Sequence, residues 1–143
     1  MAGPQSFVPP RPTPSRPIRR FTLDQANRSL PLVKRVVTDI VATHKSYTDS
    51  QAKAEKLTGK EQAEAQSGAD ASLDRLQSLV DELTDIGCEI KDYQMGLIDF
   101  VARHEGRDIY LCWKLGEEKI THWHELHTGF AGRQPVSMLE EQS

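Results

Sequence analysis

The chain has 143 residues, a mass of 16.1 kDa and a formal net charge of −3. Hydrophobic residues make up 37% and charged residues 27%, which allows one core and excludes wholesale disorder; two cysteines, Cys88 and Cys112, exclude a disulfide-stapled scaffold. No apolar run has the length of a membrane span and the first residues lack a secretory signal's apolar stretch, so the expectation is a cytoplasmic protein with no membrane contact.

Charge and proline are unevenly spread. Residues 1–20 carry four arginines, no acid and six of the eight prolines, whereas residues 21–143 hold 14 basic and 21 acidic groups, a net of −7. Proline removes backbone donors and favours extended neighbours. Residues 1–20 therefore read as a disordered Pro/Arg-rich arm with polyproline-II character. Pro9–Pro12 and Pro14–Pro17 fit P-x-x-P, the form of a peptide ligand, although a solvated extension is the plainer reading. An acidic body disfavours nucleic acid, and only the arm could touch phosphates.

The body opens at Phe21. Thr22 and Gln25 fit a capping box, and Asp24 suits the positive end of a helix dipole. Pro31 argues for a break, with Ser29 capping a second helix. From there Leu30, Val33, Val37, Ile40, His44 and Tyr47 recur at three- and four-residue steps, the signature of an amphipathic helix. Residues 58–71 contain Gly59 and Gly68 and few bulky apolar groups, so they read as a connection. Ser72 then caps a helix whose Leu73, Leu76, Val80, Leu83 and Ile90 form a coiled-coil-like seam. The helical part thus spans 22–95 and should fold as an antiparallel hairpin. Its apolar width exceeds what a hairpin covers, which points to a third layer and to a homodimer or protein partner.

After Gly96 the pattern alternates. Residues 97–103, 108–115 and 120–125 read as a three-stranded antiparallel β-meander, with turns at 104–107 and 116–119. Pairing His104 with Arg107 sets Asp99 opposite Cys112 and Phe100 opposite Leu111. Pairing Gly116 with Lys119 sets Trp113 opposite His122 and Cys112 opposite Trp123. In that register Asp99, Tyr110, Cys112, Trp123 and Glu125 share one face, and His122 and His124 lie on the other. The fold class is α+β: a single domain over 21–136, its meander and loop at 96–136, with a flexible tail at 137–143.

The chemistry-bearing residues gather in this last third. His122-Trp123-His124 places two imidazoles on one side of a strand, and with His127 they form the candidate metal ligands for a divalent ion such as zinc. Glu118 and Cys112 are further candidates for a third ligand. Asp99, set among apolar residues, needs a cation or donors, and the planar fork of Arg133 suits it. Asp99, Cys112, Glu117, Trp123 and Arg133 form the candidate ligand-binding set. Gly129-Phe130-Ala131-Gly132-Arg133 reads as a loop clamp rather than a phosphate cradle. No nucleophile elbow, P-loop or dinucleotide fingerprint occurs, so the sequence leans against an enzyme.

Several blocks carry a resemblance. Phe21-Thr22-Leu23-Asp24-Gln25-Ala26-Asn27, Leu30-Pro31-Leu32-Val33, Gly96-Leu97-Ile98-Asp99-Phe100, Leu111-Cys112-Trp113-Lys114-Leu115-Gly116-Glu117, Trp123-His124 and Gly129–Pro135 together resemble the bacterial domain of unknown function 2203 family over roughly 21–136. The resemblance implies a small bacterial cytosolic protein without an assigned activity. Among the histidines it favours His124 as the functional one. The function expected is a non-catalytic assembly or adaptor module that self-associates or binds a protein partner. The alternative is a metal- or small-ligand-binding protein built on the His/Glu/Asp/Arg cluster, with a small enzyme at that cluster as the least favoured reading.

Overall fold

The capping box forms as the sequence predicts. Gln25 N–H donates to Thr22 Oγ1 and Thr22 N–H donates to Gln25 Oε1, both at 3.0 Å, and α1 runs from Leu23 to Lys56. The computed structural model describes residues 7–10 and 17–140. The expected break at Pro31 does not occur: α1 passes straight through it. An interior proline costs about 3 kcal/mol through a lost hydrogen bond and a ring clash. Both halves of α1 bury residues in one core, Ala26 and Leu30 before the proline and Val33, Val37 and Ile40 after it. Burying such side chains contributes about 1.5–3 kcal/mol each, which outweighs that cost. Pro31 itself faces outward.

The expected connection at 58–71 is also helix. The turn is only Leu57 and Thr58, and α2 runs from Gly59 to Ile86. Alanine, glutamate, glutamine and lysine dominate this stretch and are strong helix formers, so propensity prevails over the two glycines. Ala69 is fully buried, and Gln62 Nε2 donates to Ala54 O at 2.9 Å, binding the end of α1 to the start of α2. The hairpin is therefore longer than its bulky residues suggest.

The helical part ends earlier than 95. Gly87 closes α2 in the left-handed region at φ 113°, where an added Cβ would lie 3.1 Å from the Phe21 ring. Cys88–Asp92 then forms strand β1 instead of continuing the helix. It pairs antiparallel with β2 (Leu97–His104), which pairs with β3 (Arg107–Lys114), then β4 (His122–Glu125) and β5 (Gln134–Pro135). The α+β class holds, and its sheet has five strands in sequential antiparallel order rather than three. A 3-10 turn at Phe130–Gly132 precedes β5, and a helical turn, α3 at Ser137–Glu140, stands where the tail was expected, with Leu139 packed on the core.

One face of the sheet carries the core. Ile98, Phe100, Ile109, Leu111, Trp113 and Trp123 pack against the hairpin. The β2–β3 register is the predicted one, with His104 opposite Arg107, Asp99 opposite Cys112 and Ile98 opposite Trp113. Its two-residue turn has positive φ at both Glu105 (51°) and Gly106 (77°), the geometry that matches strand twist. Within the described part of the expected arm Phe7 packs against the core, and at the start of the body Phe21 N–H donates to Val101 O at 2.8 Å. The expected P-x-x-P motifs lie mostly outside the described residues.

Candidate metal centre

The β3–β4 register is one residue away from the prediction, and this changes which side chains meet. His122 pairs with Cys112, Trp123 with Leu111 and His124 with Tyr110. The cause lies in the connection between the strands. Glu117 folds back so that its Oε1 accepts from Lys114 N–H at 2.7 Å and its carbonyl accepts from Trp113 Nε1 at 3.0 Å. Ile120, expected in a strand, is instead a buried loop anchor whose N–H donates to Asn27 Oδ1 at 2.8 Å. Residues 115–121 thus form an anchored loop in place of a tight turn, and Cys112 meets His122 instead of Trp123; a one-residue slip turns every side chain of the following strand over.

The slip sends Trp123 into the core and brings His122 and His124 to the face that holds Asp99 and Cys112. Trp123 therefore leaves the candidate ligand-binding set. Asp99, Cys112 and His124 come together instead, and each is at most 3% exposed. Their ligand atoms (a carboxylate oxygen, Sγ and an imidazole nitrogen) all lie within 4.8 Å of one another. The Tyr110 ring lies beside that of His124 at 5.4 Å between centroids, and the Lys91 ammonium stands 5.0 Å from the Tyr110 ring centroid.

The hydrogen bonds fix much of the protonation. His124 Nδ1 is 2.8 Å from Glu125 O, which can only accept, so Nδ1 carries a proton. Nε2 is 3.2 Å from Asp99 Oδ1, and one proton must occupy that contact, on nitrogen or on oxygen. Burial raises the Asp99 carboxyl above its ordinary value, and the charge and hydrogen bond of His124 pull partly the other way. Burial pushes the Cys112 thiol up to about 12, and the Asp99 charge adds to the shift. A thiol held protonated in this way is no nucleophile. His124 also presents Nε2 to Asp99 rather than to a thiol partnered as in a Cys–His pair.

The same geometry suits a cation. Two ligands at about 2.0–2.1 Å from a tetrahedral zinc stand roughly 3.3 Å apart. Asp99 Oδ1 and His124 Nε2 are already at 3.2 Å. The Nδ1–H bond to a backbone carbonyl is the outer contact that orients a metal-binding imidazole.

The remaining predicted residues fall around this trio. His122 is on the same face, with Nδ1 2.8 Å from Thr121 Oγ1. His127 is exposed and beyond the end of β4, where Thr128 N–H turns back to Glu125 O, so the three-histidine set is not assembled. Arg133 does not pair with Asp99. Three strand spacings separate β2 from β5, about 14 Å, beyond the reach of an arginine side chain. Its guanidinium stacks on the Phe130 ring at 3.9 Å, and its charge, like that of Glu117, is felt at Cys112. Glu118 is exposed. A cavity of about 400 Å³ lined by Phe21, Ala102, Ile109 and Leu139 borders the helix-facing side of the sheet and does not touch the trio.

Sequence reasoning missed the role of Ile120. An isoleucine flanked by charged and polar residues is the signal of a buried loop anchor, and it would have set the register correctly. No curated protein and no solved structure matches the chain. The model of an uncharacterized conserved protein family, DUF2203, matches residues 19–136, which include every element from α1 to β5. The chain belongs to the DUF2203 family.

Proposed function

We propose that this protein binds a divalent metal ion of the zinc class through Asp99, Cys112 and His124. The observation that carries the reading is the convergence of three chemically different ligands, all buried, within 4.8 Å. Without a cation this arrangement is costly, since a carboxylate and an imidazole leave water for one shared proton. With one, the metal takes the place of that proton and of the thiol's. Thiolate, carboxylate and Zn²⁺ then sum to zero charge, which a buried site favours. Oxygen, nitrogen and sulfur together suit zinc better than magnesium or calcium, which take oxygen ligands. Three protein ligands leave a fourth position for water or a small ligand.

The test is elemental analysis of tag-free protein, followed by cobalt substitution. Near-stoichiometric zinc is expected, and the cobalt form should show a thiolate charge-transfer band that Cys112→Ser abolishes. His124→Ala should lower the metal content to a small fraction. Substoichiometric metal that neither substitution changes would refute the reading.

A second reading, self-association, rests on a different surface. The outward groove between α1 and α2, about 690 Å³, has Leu32 48% exposed over Val36 and Leu79, and is flanked by Arg35 and Arg75 and by Asp39 and Glu82. Such a two-signed rim can complement a second copy of itself about a twofold axis. Light scattering on eluting protein should give a dimer mass that Leu32→Glu reduces to a monomer. A monomer for the unsubstituted chain at micromolar concentration refutes an assembly role.

A further inference from the structure

A second feature has no part in the metal site. Phe7, from the Pro-rich arm, inserts into an aromatic notch formed by α1 and the β1–β2 turn. Its ring centroid is 5.0 Å from those of His44 and Tyr93 and 5.7 Å from that of Tyr47. Pro9 and Pro10 continue along a groove of about 250 Å³ between α2 and β1, whose walls include Val80, Leu83 and Ile90. Among the described residues strand β1 is an edge strand, paired with β2 alone. A segment rich in proline lacks the N–H groups to extend the sheet there, and residues 7–10 lie alongside without becoming a strand. An aromatic-lined notch beside such a groove is the form that receives extended proline-rich peptides.

The arm fills this groove incompletely. Val8 is 74% exposed and Pro9 is exposed, so only Phe7 and Pro10 are seated. Tyr93, whose ring packs on Phe7, has a buried hydroxyl that makes no hydrogen bond among the described residues. Burial and then the Glu89 charge push it up to about 12, so it stands as a permanent donor. Buried donors are nearly always paired, and an orphan in a groove wall marks the place of an absent acceptor. Carbonyl oxygens of a polyproline-II segment are such acceptors, since that conformation makes no internal hydrogen bonds. Tethering offsets the poor fit in cis. The chain is fixed at Phe21, so Phe7 is held at a high effective concentration near the notch.

We propose that the notch and groove are a docking site for a partner protein's aromatic–x–Pro–Pro segment, and that Phe7–Pro10 is a tethered self-ligand which the partner displaces. The arm thereby sets a threshold: a partner binds only if it fits better than the chain's own Phe-Val-Pro-Pro, above all by supplying an acceptor to Tyr93.

The test uses the full-length chain and an array of Phe-x-Pro-Pro peptides with varied flanking residues, together with matched Ala-x-Pro-Pro controls and the chain's own Ser-Phe-Val-Pro-Pro-Arg. Phe7→Ala removes the competitor and leaves the body intact, which circular dichroism checks. That variant should bind Phe-x-Pro-Pro peptides at least tenfold more tightly than the unsubstituted chain and should not retain the alanine controls. The tightest peptides should lose at least threefold on further Tyr93→Phe substitution, whereas the self peptide should not change. Equal binding by Phe7→Ala and the unsubstituted chain overturns the proposal. So does a Phe7→Ala chain that retains none of the peptides, or only the self peptide, because the notch would then be nothing more than the seat of its own arm. Metal content does not enter these measurements, so they stand or fall apart from the zinc reading.

Discussion

Gly96 sits where the β1–β2 turn enters the strand that carries Asp99. Its φ is +73°, and a Cβ built there would lie 2.8 Å from Leu115 Cβ and 2.9 Å from Val37 Cγ1. Replacing it by alanine imposes two separate costs. The left-handed backbone costs an alanine about 1–2 kcal/mol. The contacts are with Leu115 Cβ, bonded to the backbone just past β3, and with a methyl of the fully buried Val37, neither of which is the far end of a flexible side chain, and such overpacking costs about 1–3 kcal/mol. The sum is roughly 2–5 kcal/mol against a total stability on the order of 5–15 kcal/mol for a domain. At roughly 3–5 °C per kcal/mol for a chain of this size, Gly96→Ala should lower Tm by about 6–25 °C. Gly106 supplies the control. Its φ is +77°, yet nothing lies within 4 Å of its would-be Cβ. Gly106→Ala should therefore cost the backbone part alone, about 1–2 kcal/mol. Thermal denaturation followed by circular dichroism reads both. Equal Tm losses for the two variants would refute the packing argument, and a loss under 2 °C at Gly96 would refute the whole account of that turn.

Pro31→Ala should stabilise the protein. The restored helix bond and relieved ring clash are worth about 3 kcal/mol, and the more flexible unfolded chain takes back up to about 1, leaving roughly 2 kcal/mol by urea denaturation. A neutral or destabilised variant would mean that the proline is accommodated at no cost. The Asp108 carboxyl is held below its ordinary value by its hydrogen bond with Arg20, and Glu125 by its hydrogen bond with Arg107. A lowered acid binds fewer protons folded than unfolded, so its contribution is present above the ordinary carboxylate range and is lost as pH falls through it. Tm of an Arg20→Ala, Arg107→Ala double variant should therefore fall less steeply than that of the parent between pH 5 and about pH 3, and parallel curves would disprove the linkage. Burial pushes the Cys88 thiol up to about 12. At pH 8 its thiolate fraction is about 10⁻⁴, against roughly a quarter for an ordinary cysteine, so Ellman's reagent should label Cys88 about a thousandfold more slowly in the folded chain than in urea. Rapid labelling of a Cys112→Ser variant under native conditions would contradict that burial.

The sequence showed most plainly what periodicity and local chemistry control. The Thr22–Gln25 cap, the buried stripe from Leu30 to Tyr47 and the β2–β3 hairpin all rest on neighbours in the chain, and they form as read. What it concealed depends on distant partners. Pro31 looks like a stop until both halves of α1 are seen to share one core. The stretch after Thr58 looks like a loop because its residues bury little, although Ala69 shows that a small side chain can be completely enclosed. Cys88–Asp92 alternates over too few residues to stand out against the helix it follows. The candidate site was half legible: Asp99 opposite Cys112 follows from a two-residue turn, whereas the arrival of His124 depends on a loop anchored through Ile120 N–H to Asn27 in α1.

That last bond has a kinetic consequence. It joins residues 93 apart in sequence, and it places the strand that supplies the imidazole. Closing so long a loop is slow relative to forming a hairpin, so the carboxylate and thiol can be juxtaposed well before the third ligand is in position. On the proposed zinc reading, ion capture at full affinity belongs to the final stage of maturation, after the helices have clasped the sheet, and the ion would report that folding is complete.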